Sequence, residues 1–213
     1  MKELGSNLVQ LPPRERLKLE GHEHLLHTVQ MKKMNFNNYF LIAMPSLSEE
    51  DTTFSRSVVF LCEHSENGAM GIIINKPLNI TLGSVFEHLE IDSDKNINNI
   101  PVYMGGPVGQ EHGFVIHEPY RDDESHDDLI ISASKDTLTD IAHSKGPNQY
   151  LIALGYTGWD AGQLEEEIGR NDWLMVPYDK DIIFNTPVEQ RWNKAIRLLG
   201  IDINKLSSHV GHA

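Results

Sequence analysis

The chain has 213 residues, 39% of them hydrophobic, which suits one globular domain with at most an appendage. Its formal net charge is −13, and the acid is unevenly placed: the first 33 residues hold six basic against four acidic side chains, the remaining 180 hold 12 against 27. A surface that acidic repels polyphosphate and anionic lipid, which argues against direct nucleic-acid binding. Cys62 is the single cysteine, so an internal disulfide is excluded and a reducing compartment fits. No run approaches the roughly 18 apolar residues that span a bilayer. Residues 1–33, interrupted by Pro12 and Pro13, lack the apolar core of a secretory signal. The cytoplasm is the expected compartment, with no membrane partner.

In chain order, residues 1–33 read as a loosely attached extension and 34–213 as one domain, with Met34 an alternative start. The apolar pattern opens with a strand over 39–44. Runs at 57–62 and 69–75 flank Ser65-Glu-Asn-Gly68, whose Asn-Gly pair predicts a hairpin turn. Thr81 is placed to cap a helix with Leu82, Val85, Phe86 and Leu89 on one face. Short strands follow at 102–104, 114–117 and 129–132. A helix capped by Ser134 carries Leu138, Ile141 and Ala142 and stops at Gly146-Pro147. The run 151–154 reads as a buried strand entering a glycine-punctuated turn, Gly155-Tyr-Thr-Gly-Trp-Asp160, with Trp159 at its centre and an acidic helix after it. A last strand is expected at 182–184. Thr186-Pro187-Val188-Glu189 then reads as a capping box with proline in the first helical turn, followed by a buried stripe of Trp192, Ala195, Ile196 and Leu199 and a stop at Gly200.

Residue types that could carry chemistry are present but do not assemble into a mechanism. Cys62 and His64 are two apart, so a regular strand points both to one face, yet about 7 Å of backbone separates them. A buried cysteine and an exposed hairpin histidine are the simpler expectation. His22 with His24, and His209 with His212, are close enough to chelate, but nothing near either pair supplies a third ligand. His112 and His117 face opposite ways on a strand. There is no HExxH or CxxC, so neither a metal nor any other cofactor is called for. Met104-Gly-Gly-Pro-Val-Gly109 is glycine-rich but leads into a strand, not the helix N-terminus that a phosphate cradle needs. No GxSxG elbow exists. Glu165, Glu166 and Glu167 suit the positive end of a helix dipole, and Asp160 suits a turn or cap. Arg191, Lys194 and Arg197 share one broad face of the last helix, a small basic patch whose simplest role is solvation and local pairing.

Several of these segments carry a resemblance. Phe40-Leu-Ile-Ala-Met-Pro45, Phe54-Ser-Arg-Ser-Val-Val59, Asn67-Gly-Ala-Met-Gly-Ile-Ile-Ile-Asn-Lys-Pro77, Gly105-Gly-Pro107 and Gly113-Phe-Val-Ile-His117 belong to it. So do 155–168, Asn171-Asp-Trp-Leu174, Thr186-Pro-Val-Glu-Gln-Arg-Trp192 and Gly211-His-Ala213. From about Met34 to Ala213 the chain resembles the bacterial YqgE/AlgH family. The resemblance implies an α+β fold in which a mixed, bifurcated β-sheet curls into a partial barrel flanked by helices. It implies a bacterial cytosolic protein, and the AlgH name implies an association with transcriptional regulation. It carries over no catalytic set.

The reading that follows is a non-enzymatic accessory or regulatory protein that binds a protein partner or a small ligand. Its expected site combines Arg56, Asn75, Lys76, the Gly105-Gly106 turn and Trp159, which offer charge, amide donors and acceptors, and a stacking face. Two other readings stand beside it. One is a hydrolase using Asp160, Glu63 or His64, which requires titratable groups in a shared cleft. The other is a nucleic-acid-binding regulator, which requires a continuous basic stripe.

Overall fold

A computed structural model describes residues 37–44, 53–120 and 128–200. The proposed extension 1–33, the chelating pairs His22/His24 and His209/His212, and the terminal Gly211-His-Ala213 lie outside them.

Among the described residues nine strands form one mixed, open sheet: β1 (Tyr39–Ala43), β2 (Val58–Ser65), β3 (Gly68–Ile73), β4 (Pro77–Thr81), β5 (Pro101–Met104), β6 (Val108–His117), β7 (Ile130–Ser132), β8 (Tyr150–Asp160) and β9 (Trp173–Pro177). Among the described residues five α-helices accompany them: α1 (Leu82–His88), α2 (Lys135–Ala142), α3 (Gln163–Gly169), α4 (Lys180–Phe184) and α5 (Val188–Arg197). The main strand order is β4-β5-β8-β3-β2-β1-β9, with β6 and β7 leaving this path at β8. The sheet therefore forks, as the resemblance implied, and it does not close into a barrel.

The central strands read as unbroken apolar runs because both of their faces are covered. Alternate residues go to different cores. Phe40, Ile42, Val58, Phe60, Ile72 and Ile74 join Ile182, Ile183, Trp192, Ala195 and Ile196 of α4 and α5. Leu41, Ala43, Val59, Leu61 and Ile73 join Trp159, Trp173 and Leu164. A third core, under α1 and α2, gathers Leu82, Phe86, Val102, Val115, Leu138, Ile141 and Ile152.

The fork lies within β8. Residues Ile152 to Leu154 pair in parallel with Val102 to Met104 of β5 and, on their other side, antiparallel with Gly113 to Val115 of β6. Thr157 to Asp160 pair antiparallel with Gly71 to Gly68 of β3. Gly155, at φ +74°, is the bend between the two pairings. The stretch expected as a strand and then a turn is thus one strand of 11 residues that changes partners, and Trp159 sits in its second half.

Two further expectations are corrected, and the hairpin expectation holds. Residues 182–184 are helical, because Asp179 caps α4 by accepting from the Asp181 N–H. The capping box at Thr186 does not form: Pro187 takes the cap position, and the Thr186 hydroxyl donates instead to the Asp181 carbonyl at 2.9 Å. The hairpin forms with Glu66 and Asn67 as its turn, but only Gly68, at φ +134°, takes a positive φ. Strands β4 and β9 are additions to the expected set.

Candidate functional site at the junction of β3, β5 and α5

Most of the expected site residues converge where β3 ends. The Asn75 side chain acts as a cross-link: its Oδ1 accepts from the Val58 N–H and its Nδ2 donates to the Arg56 carbonyl, both at 2.8 Å. Arg56 is thereby fastened at φ +52°, a left-handed conformation that costs a non-glycine residue about 1–2 kcal/mol. A turn closed by the Ser57 N–H and hydroxyl, both donating to the Phe54 carbonyl at 2.9 Å, supports it from the other side. The exposed Arg56 guanidinium lies 4.5 Å from the centre of the Trp192 ring.

The next residues tie this point to β5. The Lys76 carbonyl accepts from the Met104 N–H and the Gly105 carbonyl accepts from the Ile73 N–H, each at 2.8 Å. Gly105 and Gly106 are glycines because backbone passes close by. A Cβ on Gly105 would stand 2.2 Å from the Gly155 carbonyl oxygen, and one on Gly106 would stand 2.1 Å from the carbonyl of Tyr156. Their role is strand crossing at the fork.

Arg191 completes the junction from α5. It is buried, donates through Nε to the Thr186 carbonyl at 3.0 Å and through Nη1 to the Ile74 carbonyl, and lies over Tyr103. Burial pulls its pKa down from the ordinary arginine value, with Tyr103 opposing. The basic patch expected on α5 is reduced accordingly: Arg191 faces inward, Lys194 pairs with Asp181, and Arg197 stays exposed. That pairing holds the Asp181 carboxyl below the usual range.

Trp159 is not part of this cluster. It pairs with Ala69, four residues along β3 from Ile73, or about 13 Å away at strand spacing. It is buried, and its Nε1 donates to Glu167 Oε2 at 2.8 Å. Trp173 Nε1 donates to the same oxygen at 2.8 Å, while Gln163 Nε2 donates to Oε1 at 2.8 Å. Beside this clamp, Glu165 and His64 are both buried, with Oε1 and Nε2 3.4 Å apart. Two of the three glutamates expected to face the helix dipole therefore turn inward, and only Glu166 is exposed.

The exposed hairpin histidine is corrected by the same pair, and so is the shared face of Cys62 and His64. Cys62 is an extra residue in β2, between the pairs Leu61↔Gly71 and Glu63↔Met70. This bulge reverses the alternation. Cys62 packs on the core of Phe40 and Phe60, whereas His64 lies opposite Ala69 on the face of Leu61 and Trp159. Burial, with Glu63 adding to it, pushes the Cys62 thiol up to about 12. The three residues of the hydrolase reading are separated: Glu63 and Asp160 are exposed at strand positions, and His64 is enclosed with Glu165. Among the described residues no three His, Cys, Asp or Glu side chains meet as a metal site. His117 is buried, its Nδ1 2.7 Å from the Glu118 carbonyl, and His112 is exposed beside Glu111. No helix among the described residues is long and apolar enough to cross a membrane.

A forked α+β sheet, crossed at Gly105-Gly106 beside the fork and tied by Asn75 and Arg191 at the end of β3, defines the class of protein. Residues 40–204 match the AlgH-like family profile (DUF179), and the chain belongs to that family. A UPF0301 protein of Coxiella burnetii is 50% identical over 198 residues, covering 92% of this chain and all of its own. A UPF0301 protein of Pseudoalteromonas translucida is 47% identical over 185 residues, with coverage of 84% and 99%. The solution structure of the AlgH protein from Pseudomonas aeruginosa aligns at a TM-score of 0.68 and 40% identity, covering 85% of this chain and 97% of that one. A crystal structure from Corynebacterium diphtheriae shares the fold at a TM-score of 0.62 and 21% identity, with coverage of 81% and 91%.

Proposed function

We propose that this chain is a non-catalytic accessory or regulatory protein that engages an anionic group of a protein partner or small ligand through Arg56 and Lys76. One observation carries the reading: segments 54–59, 75–77, 105–107 and 186–192, distant in sequence, meet at one junction that holds Arg56 exposed on a left-handed backbone. Strain of this kind persists where the surroundings over-determine it, and it is concentrated at functional positions. Gly105 and Gly106 support the surface through the strand crossing, and Trp159, buried elsewhere with Glu167, has no part in it. A regulatory role would run through such a partner and not through operator DNA, which the net charge of −13 repels.

Arg56→Gly separates binding from folding, because glycine relieves the positive φ while removing the guanidinium. Affinity capture from native bacterial cytosol should retain at least one protein or small molecule on the wild type that Arg56→Gly and Lys76→Gln lose. The variants should keep the wild-type melting temperature. Equal recovery of every retained species by both folded variants would overturn the reading.

A further inference from the structure

A separate cleft lies between α1, α2 and β6, away from Arg56 and Lys76. It has a volume of about 540 Å³, and Ile80, Val85, Leu89, Phe114, Leu138 and Leu154 are among the apolar residues that line it. That volume falls within the range of small-molecule sites. The cleft stays open for two reasons. Register between β6 and β8 breaks between Val108↔Tyr156 and Gly113↔Leu154, so β6 does not lie flat on its neighbour there. Residue 113 is also a glycine that its own backbone does not require. A Cβ at Gly113 would meet only Leu154 Cδ2, at 3.8 Å, so the missing side chain leaves space above Leu154.

The polar groups at the cleft are unevenly charged. Lys135 reaches across from α2 to donate to the Leu89 carbonyl at 3.0 Å, which sets its ammonium at the junction of the two helices. His88 and Ser84 line the α1 side. Glu111, the one carboxylate of the lining, lies on β6 and stands 3.1 Å from His112 Nδ1, whereas Lys135 lies at the helix junction. The cleft thus pairs an apolar body with a cationic end on a protein that is otherwise strongly acidic.

We infer that this cleft binds a free aliphatic carboxylate of medium chain length, its chain over Leu154 and Leu138 and its carboxylate at Lys135. The inference is independent of the Arg56 surface. The test is calorimetric titration of the full-length protein with decanoate and, in parallel, with decanol. Wild type should bind decanoate saturably. Gly113→Ile fills the space above Leu154, and it should weaken decanoate binding at least about tenfold while the melting temperature holds. Lys135→Met should weaken decanoate about tenfold, the loss expected for one charge-assisted contact, and leave decanol unchanged. Arg56→Gly should change neither ligand. The proposal is overturned if wild type shows no saturable decanoate binding, or if folded Gly113→Ile binds decanoate as wild type does. It is equally overturned if Lys135→Met weakens decanol as much as decanoate, since Lys135 would then be holding the helices and not the carboxylate.

Discussion

Single side chains in this protein do two jobs that composition conceals. Glu167 is an acidic residue on a short helix, yet one of its oxygens accepts from both Trp159 and Trp173, whose rings stand 5.9 Å apart. Both indoles are buried, so Glu167→Ala leaves two N–H groups without an acceptor and should cost about 2–5 kcal/mol. Denaturant unfolding followed by tryptophan emission checks this; Glu167→Gln, which keeps an acceptor, should lose less. Cys62 gives a pH prediction with a definite sign. Its folded-state value, about 12, lies above the ordinary thiol value of 9.0, so the folded state holds the proton more tightly. The resulting contribution is complete below pH 9 and is lost as pH rises from 9 toward 12. Native protein at pH 8 should therefore resist iodoacetamide, and urea-unfolded protein should react fully. Rapid native alkylation would show that the thiol is not held in this way. The His64–Glu165 pair is hidden in the sequence because a bulge at Cys62 shifts the later side chains of β2 by one face, and the clamp because it joins β8, β9 and α3 through contacts that no local pattern encodes.

At the level of elements, the glycines of 155–168 looked alike in the sequence and are not. Gly155 needs its positive φ, and a Cβ there would stand 2.6 Å from the Gly106 carbonyl oxygen. Gly158 is exposed on the same strand, and a Cβ would meet only Tyr156 Cε2 at 3.5 Å. Thermal melts should show Gly158→Ala raising stability by about 0.5 kcal/mol, through a less flexible unfolded chain. Gly106→Ala, driven against the Tyr156 backbone at the crossing, should lower it by on the order of 3 kcal/mol. The elements that were legible are those whose pattern is local: the buried runs of β1, β2 and β3, the hairpin between the last two, and α2 with its Ser134 cap. Three apolar residues at 182–184 are too few to separate a strand from a helix, and the deciding signal was Asp179 before them. The edge strand β4 begins with Pro77, which masks a strand from pattern reading although an edge tolerates it. Of the expected site, Arg56, Asn75, Lys76, Gly105 and Gly106 stand in resemblance segments that lead into β2, end β3 or cross it at β5, and these meet at one junction. Trp159 was misplaced because the strand it belongs to was read as ending at Leu154.

For the whole molecule, the charge of −13 opposes polyphosphate, and Arg191 is withdrawn from the basic face of α5. Duplex DNA fragments should therefore show no mobility shift with this protein even at low salt; a salt-sensitive shift would demand a basic stripe outside the described residues. The two proposed surfaces rest on different parts of the same sheet, one at the end of β3 and one above β6 and β8, so occupancy of each can be measured alone. The fork in β8 also has a consequence for how the protein is made. Strands β3, β5 and β6 all wait for residues 150–160, which the ribosome delivers only after the three have emerged. A nascent chain released before Asp160 carries three apolar strands with an unfilled side each. Translation arrest in this window should yield aggregates or chaperone-bound chains, whereas release after α5, whose Trp192, Ala195 and Ile196 complete the main core, should yield folded protein, so the last third of the message sets the moment at which the first two thirds become a structure.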